Sequence, residues 1–122
     1  MTIAARVSQR SGVKLVDFPI ASNLIAEGQP VARIWIHAQS TDGKITQGVW
    51  DCTAGKFNWS FTWDEFVMVL EGEVAIVPEG GQPFVLRTGD FAHFPRGLKT
   101  MWHVTKYVKK TFVIRTPEPL KL

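Results

Sequence analysis

Residue types that carry covalent or metal chemistry are scarce in this 122-residue chain, which holds one cysteine, one tyrosine and three histidines. Cys52, being alone, can form no intrachain disulfide. No apolar run approaches the length that spans a bilayer, and residues 1–12 lack the apolar stretch of a secretion signal. Together these absences predict a soluble, cytoplasmic protein with no membrane partner. A strong charge of either sign is also missing: 14 basic and 11 acidic residues leave a formal net charge of +3. The densest basic run, Lys106-Tyr107-Val108-Lys109-Lys110, is broken by apolar residues and fits a solvated strand edge rather than a nucleic-acid face. No Gly-rich phosphate loop, GxSxG elbow, CxxC pair or HExxH run occurs. Internal repeats and low-complexity segments are absent too.

What the chain does have is apolar and aromatic material: 45% hydrophobic residues and five tryptophans, enough for one core without a metal or disulfide. A chain this short makes one domain. Short β-branched and aromatic runs alternate with turn residues, which predicts an all-β fold. The expected strands are 31–37, 47–53, 65–70, 73–77, 84–87, 91–94, 99–104 and 111–115. Ser40 to Gly43, Pro78 to Pro83 and Thr88-Gly89-Asp90 supply turns or loops. Glu71-Gly72 reads as a hairpin with glycine at a positive φ, and Ala54-Gly55 as a strand end. Residues 23–27 offer one weak helical turn. The tail 116–122, with Pro117 and Pro119, packs on the surface or hangs loose.

Two spacings exceed generic β content. Glu65 precedes Gly72 in EFVMVLEGEV, and Gly89-Asp90 precedes Pro95-Arg96-Gly97 in GDFAHFPRG. Taken in order, they resemble the two motifs of the cupin superfamily. The stretches GVWDCTAGKFNWSFTWDEFVMVLEGEV and GDFAHFPRGLKTMWHV are similar to the small cupins related to (S)-ureidoglycine aminohydrolase and to the ethanolamine-utilisation cupin. The resemblance implies a double-stranded β-helix (jelly-roll) barrel over about residues 31–115 of a single domain 1–122, with the N-terminal extension and tail packed on it. It also implies a pocket at one end and assembly as a homodimer.

Metal-binding cupins place a His-x-His pair before the motif glutamate and a third histidine after the Pro-x-Gly turn. Alternate residues of a strand share a face, so three nitrogens and a carboxylate can enclose a transition metal. Here the pair falls on Trp59 and Phe61, or on Phe61 and Trp63, and the third position falls on Thr100. Only Glu65 remains. No cofactor is therefore predicted, and a divalent transition metal is disfavoured; a rearranged set would be Glu65, His93 and Cys52.

Glu65 has two readings. Among Trp59, Phe61, Trp63 and Trp102 it is a catalytic acid or base, or an anchor for a cationic or hydroxylated ligand. Otherwise it is a structural carboxylate paired with Arg33, Lys56 or Lys110. Trp59, Phe61, Trp63, Thr100 and Trp102 are the expected ligand contacts, with His103 facing away from Trp102. Trp35 and Trp50 are expected to pack the sheets, Phe66 and Met68 to pack the barrel or a dimer, and Asp90 and Arg96 to hold their turns. The resulting expectation is a small-molecule-binding cupin with a degenerate metal site and an accessory or sensing role in small-molecule metabolism. The alternative is a metal-dependent, aminohydrolase-like enzyme acting through Glu65 on a ureido or amide compound. A metal-free isomerase or epimerase with Glu65 as base has only fold analogy behind it.

Overall fold

The computed structural model describes residues 3–121. The described residues form eight strands and two short 3-10 turns, Arg10–Gly12 before the first strand and Ser22–Leu24 after it. The strands are β1 (Val16–Asp17), β2 (Ile25–Gly28), β3 (Ala32–Gln39), β4 (Ile45–Ser60), β5 (Asp64–Pro78), β6 (Phe84–Arg87), β7 (Phe91–Phe94) and β8 (Lys99–Arg115). All pair antiparallel in the order β1-β3-β4-β8-β5-β6, with β2 added to β4 and β7 to β5. The sheet rolls into the expected jelly-roll barrel. The helical turn expected over 23–27 is instead the end of a 3-10 turn running into β2.

Three expected breaks are bends within long strands. Glu71-Gly72 is no hairpin, because β5 continues through it while the pairing to β8 shifts between Gly72 and Ala75. Gly72 adopts φ +72°, and a Cβ there would lie 1.9 Å from the Tyr107 carbonyl oxygen. Only glycine lets the two backbones approach this closely. Ala54-Gly55 likewise lies inside β4, at a shift between Thr53 and Gly55. The strands expected at 99–104 and 111–115 are the two halves of β8.

One-residue mismatches with β8, at Thr53–Gly55 of β4 and Val69–Glu71 of β5, reverse which parity of each of these strands faces inward. On β4, Thr46, Gly48 and Cys52 are buried before the shift and Phe57 after it, with Phe61 buried just beyond the strand's end. On β5, Val67 and Val69 give way to Val74 and Ile76. One bent strand thereby feeds both halves of a single core. Phe57, Phe94, Ile76, Val104 and Val108 lie at its centre, each 2% exposed or less; complete burial of such side chains contributes about 2 kcal/mol apiece. Phe61 stacks on Phe94 with ring centroids 4.5 Å apart.

The tail is fastened rather than loose. Leu120 donates its N–H to the Gly43 carbonyl at 3.0 Å, and its own carbonyl accepts from Gln39 Nε2 at 2.9 Å.

Candidate functional site

The barrel encloses a cavity of about 550 Å³. Its position follows from strand parity. Glu65 stands opposite Phe94 on β7 and Ile114 on β8, and both neighbours face inward. On β8 the inward set includes Trp102, Lys110 and Phe112, all buried. Trp50 and Phe57 reach the same space from β4, one on each side of its bulge. Ile20 and Leu24 from the N-terminal segment and Leu120 from the tail close over one end.

Lys110 and Glu65 meet inside this apolar enclosure. Nζ donates to Glu65 Oε2 at 2.7 Å, with side chains 8% and 15% exposed. The ammonium also lies 4.9 Å from the ring centroid of Trp50, 5.5 Å from Phe112 and 5.9 Å from Trp102. Ring faces are electron-rich, so they stabilise the cation where water is excluded. Removing one member of such a pair would strand the other charge in a low-dielectric site.

Trp59, Phe61, Trp63 and Glu65 line the cavity with Trp102. Thr100 lies behind the wall. Its hydroxyl donates to the Trp59 carbonyl at 2.8 Å and accepts from Trp102 Nε1 at 3.0 Å, so it fixes one indole instead of facing the space. Trp35 projects outward on β3 beside His37, ring centroids 5.7 Å apart, whereas Trp50 is a cavity wall. Asp90 holds its turn by accepting from the Arg87 N–H at 2.8 Å. Sequence reading named Lys110 only as one of three possible partners for Glu65, and it passed over Phe57 and Phe112. Alternation from Trp102 along β8 was the available signal.

The residues present do not fit a transition metal. The positions where metal-binding cupins carry imidazoles hold Trp59, Phe61 or Trp63 and the committed hydroxyl of Thr100, while Glu65 already carries an ammonium partner. The rearranged set does not converge either. His93 faces outward, stacked on Phe66 at 4.5 Å and hydrogen-bonded through Nε2 to Asp64 Oδ1 at 3.0 Å. Cys52 is fully buried, and its thiol donates to the Thr53 carbonyl at 3.3 Å. Burial, and then the charge of neighbouring Asp51, push this thiol up to about 12, which disfavours the thiolate that a metal requires. Among the described residues no cluster of three or more His, Cys, Asp or Glu side chains could hold a metal ion.

Two polar groups outside the cavity are structural. Asp51, on the other face of β4 from Trp50, accepts from Arg33 at 3.0 and 2.5 Å and from the Tyr107 hydroxyl at 2.7 Å. Burial and then the Asp51 hydrogen bond raise the Tyr107 phenol. The hydrogen bond with His93, helped by the Arg96 N–H, holds the Asp64 carboxyl below its ordinary value.

Known proteins share this architecture. A structure of a putative ethanolamine utilization protein Q from Salmonella typhimurium LT2 superposes with a TM-score of 0.74, covering 94% of this chain and 86% of that one at 24% identity. The EutQ protein of Clostridium difficile gives a TM-score of 0.68, covering 87% and 82% at 19% identity. The acetate kinase EutQ of Escherichia coli K12 is 37% identical over 57 residues, which make up 47% of this chain and 24% of that protein's length. The family described as EutQ-like cupin domain matches residues 39–112, a span that includes Trp50, Glu65, Trp102 and Lys110. The chain belongs to the EutQ-like cupin domain family.

Proposed function

We propose that this domain binds a small, predominantly apolar molecule inside its barrel and serves as a binding or sensing unit in small-molecule metabolism. Ethanolamine utilisation, the process named for the Salmonella neighbour, is the setting this reading favours. One observation carries it: a Lys110–Glu65 pair set into a cavity of about 550 Å³ whose other walls are mainly aromatic and aliphatic. Specific small-molecule sites have this composition, an apolar enclosure with a few placed polar groups.

The alternative, metal-dependent hydrolysis of a ureido or amide compound, would need Glu65 to exchange Lys110 for a metal that finds no imidazole beside it. The kinase activity in the Escherichia coli relative's name is outside this reading. Phosphoryl transfer needs several positioned cations around the phosphates, whereas the Lys110 ammonium has the Glu65 carboxylate beside it, which would repel a phosphate.

Trp50, Trp59, Trp63 and Trp102 border the cavity and report on its contents. A fragment screen read by tryptophan emission should find saturable ligands, and Ile114→Phe, which fills the space from β8, should weaken them. A screen yielding no saturable response, or a stoichiometric transition metal in the purified protein, would overturn the proposal.

A further inference from the structure

The pair's unused valences point to a ligand class, an inference that rests on the binding reading above. An ammonium has three N–H donors, and Lys110 gives one to Glu65 Oε2. The other carboxylate oxygen, Oε1, accepts no hydrogen bond from the described residues, yet no fully buried side-chain nitrogen or oxygen among them lacks a partner. Oε1 is therefore open, and the space it opens onto is the cavity that Glu65 lines. One patch of the wall thus offers a donor and an acceptor side by side, with no net charge.

We infer that the cavity takes an uncharged molecule with an apolar body and one head group that both donates and accepts, an alcohol or a primary carboxamide. Such a head accepts a hydrogen bond from Lys110 Nζ and donates one to Glu65 Oε1, so the open carboxylate oxygen and one further ammonium N–H both gain a partner. A carboxylate ligand would gain from Lys110 but lie against Glu65, and an ammonium ligand would meet the reverse. In either case attraction and repulsion nearly cancel, and the dehydration of the ligand's charge goes uncompensated. Most of the remaining wall, Trp50, Phe57, Ile34 and Ile36 included, offers contact to an apolar body, while Thr46, Ser60, Thr62 and Lys121 are the other polar residues of the lining.

The test compares four probes with one body: hexanamide, hexanol, hexanoate and hexylammonium, titrated into the full chain at pH 7 by calorimetry. The neutral probes should bind at least about tenfold more tightly than the charged ones. Glu65→Gln keeps an amide oxygen for Lys110 but leaves the cavity cationic, so hexanoate should overtake hexylammonium by at least about tenfold. A thermal melt confirms that this variant is folded. If hexanoate or hexylammonium binds the unaltered protein as tightly as hexanamide, the ligand class is wrong while binding itself stands. If Glu65→Gln leaves the order of the four unchanged, the pair is not the recognition element. If neither these probes nor any apolar fragment binds, the inference and the reading beneath it both fail.

Discussion

Lys110 reaches Glu65 along the barrel rather than straight across the ladder. Glu65 pairs with Ile114 and Lys110 pairs with Val69, yet Nζ and Oε2 lie 2.7 Å apart. The buried lysine spans the interval between these positions and brings its ammonium over the Trp50 and Phe112 rings. Where metal-binding cupins use a metal as the positive partner of the motif glutamate, this chain supplies a tethered ammonium.

A double-mutant cycle measures what that contact contributes. Lys110→Met strands Glu65, and Glu65→Leu strands Lys110. Each should lower unfolding free energy by about 3 kcal/mol in urea melts. The double variant leaves an apolar interior and should return to within about 1 kcal/mol of the unaltered protein. Additive losses would show that the two side chains do not depend on each other.

Gly72 offers a backbone test of the bulge. Its φ of +72° is unfavourable for an L side chain, and a Cβ would meet the Tyr107 carbonyl oxygen on β8. Gly72→Ala should destabilise by about 2 kcal/mol or more. At Gly80, φ is also positive but nothing lies within 4 Å of an added Cβ, so Gly80→Ala should cost about 1 kcal/mol, from backbone strain alone. Equal losses at the two sites would refute the close approach of β5 and β8.

The Asp64–His93 contact sets a pH dependence with a definite sign. The native Asp64 carboxyl lies below its ordinary value, chiefly through the His93 hydrogen bond. A carboxyl depressed on folding adds stability above its unfolded pKa, about 3.9, and that stability is lost as pH falls through the native value. The urea midpoint of the unaltered protein should exceed that of Asp64→Asn above about pH 5, and the difference should close on acidification. A difference that widened toward low pH would contradict the assignment.

Glu65 and Trp102 could be placed from sequence because motif spacing fixes their distance from Gly72 and Gly97. Lys110 falls between the strands expected at 99–104 and 111–115, and only the unbroken β8 carries the alternation from Trp102 through Val104 and Val108 to Lys110. The bend at Gly72 was hidden for a related reason: Glu-Gly suits a tight hairpin and a bulge equally, and only the partner strand decides between them. Trp50, expected in sheet packing, lines the cavity with Phe57 although the two stand an odd number of residues apart, because the inward parity of β4 changes near Gly55. Thr100, expected as a ligand contact, spends its hydroxyl on the Trp59 carbonyl and Trp102 Nε1 behind the cavity wall, a local competition that spacing does not reveal.

β8 is hydrogen-bonded to β4 along one edge and to β5 along the other, through both halves of the barrel. Neither half can therefore loosen its amides alone without peeling this shared spine from a neighbour. Deuterium uptake at Trp102 and at Phe112, near opposite ends of the strand, should proceed through one common opening event. A visitor to the cavity would then enter by lifting the segments laid over its mouth, leaving the staves of the barrel closed.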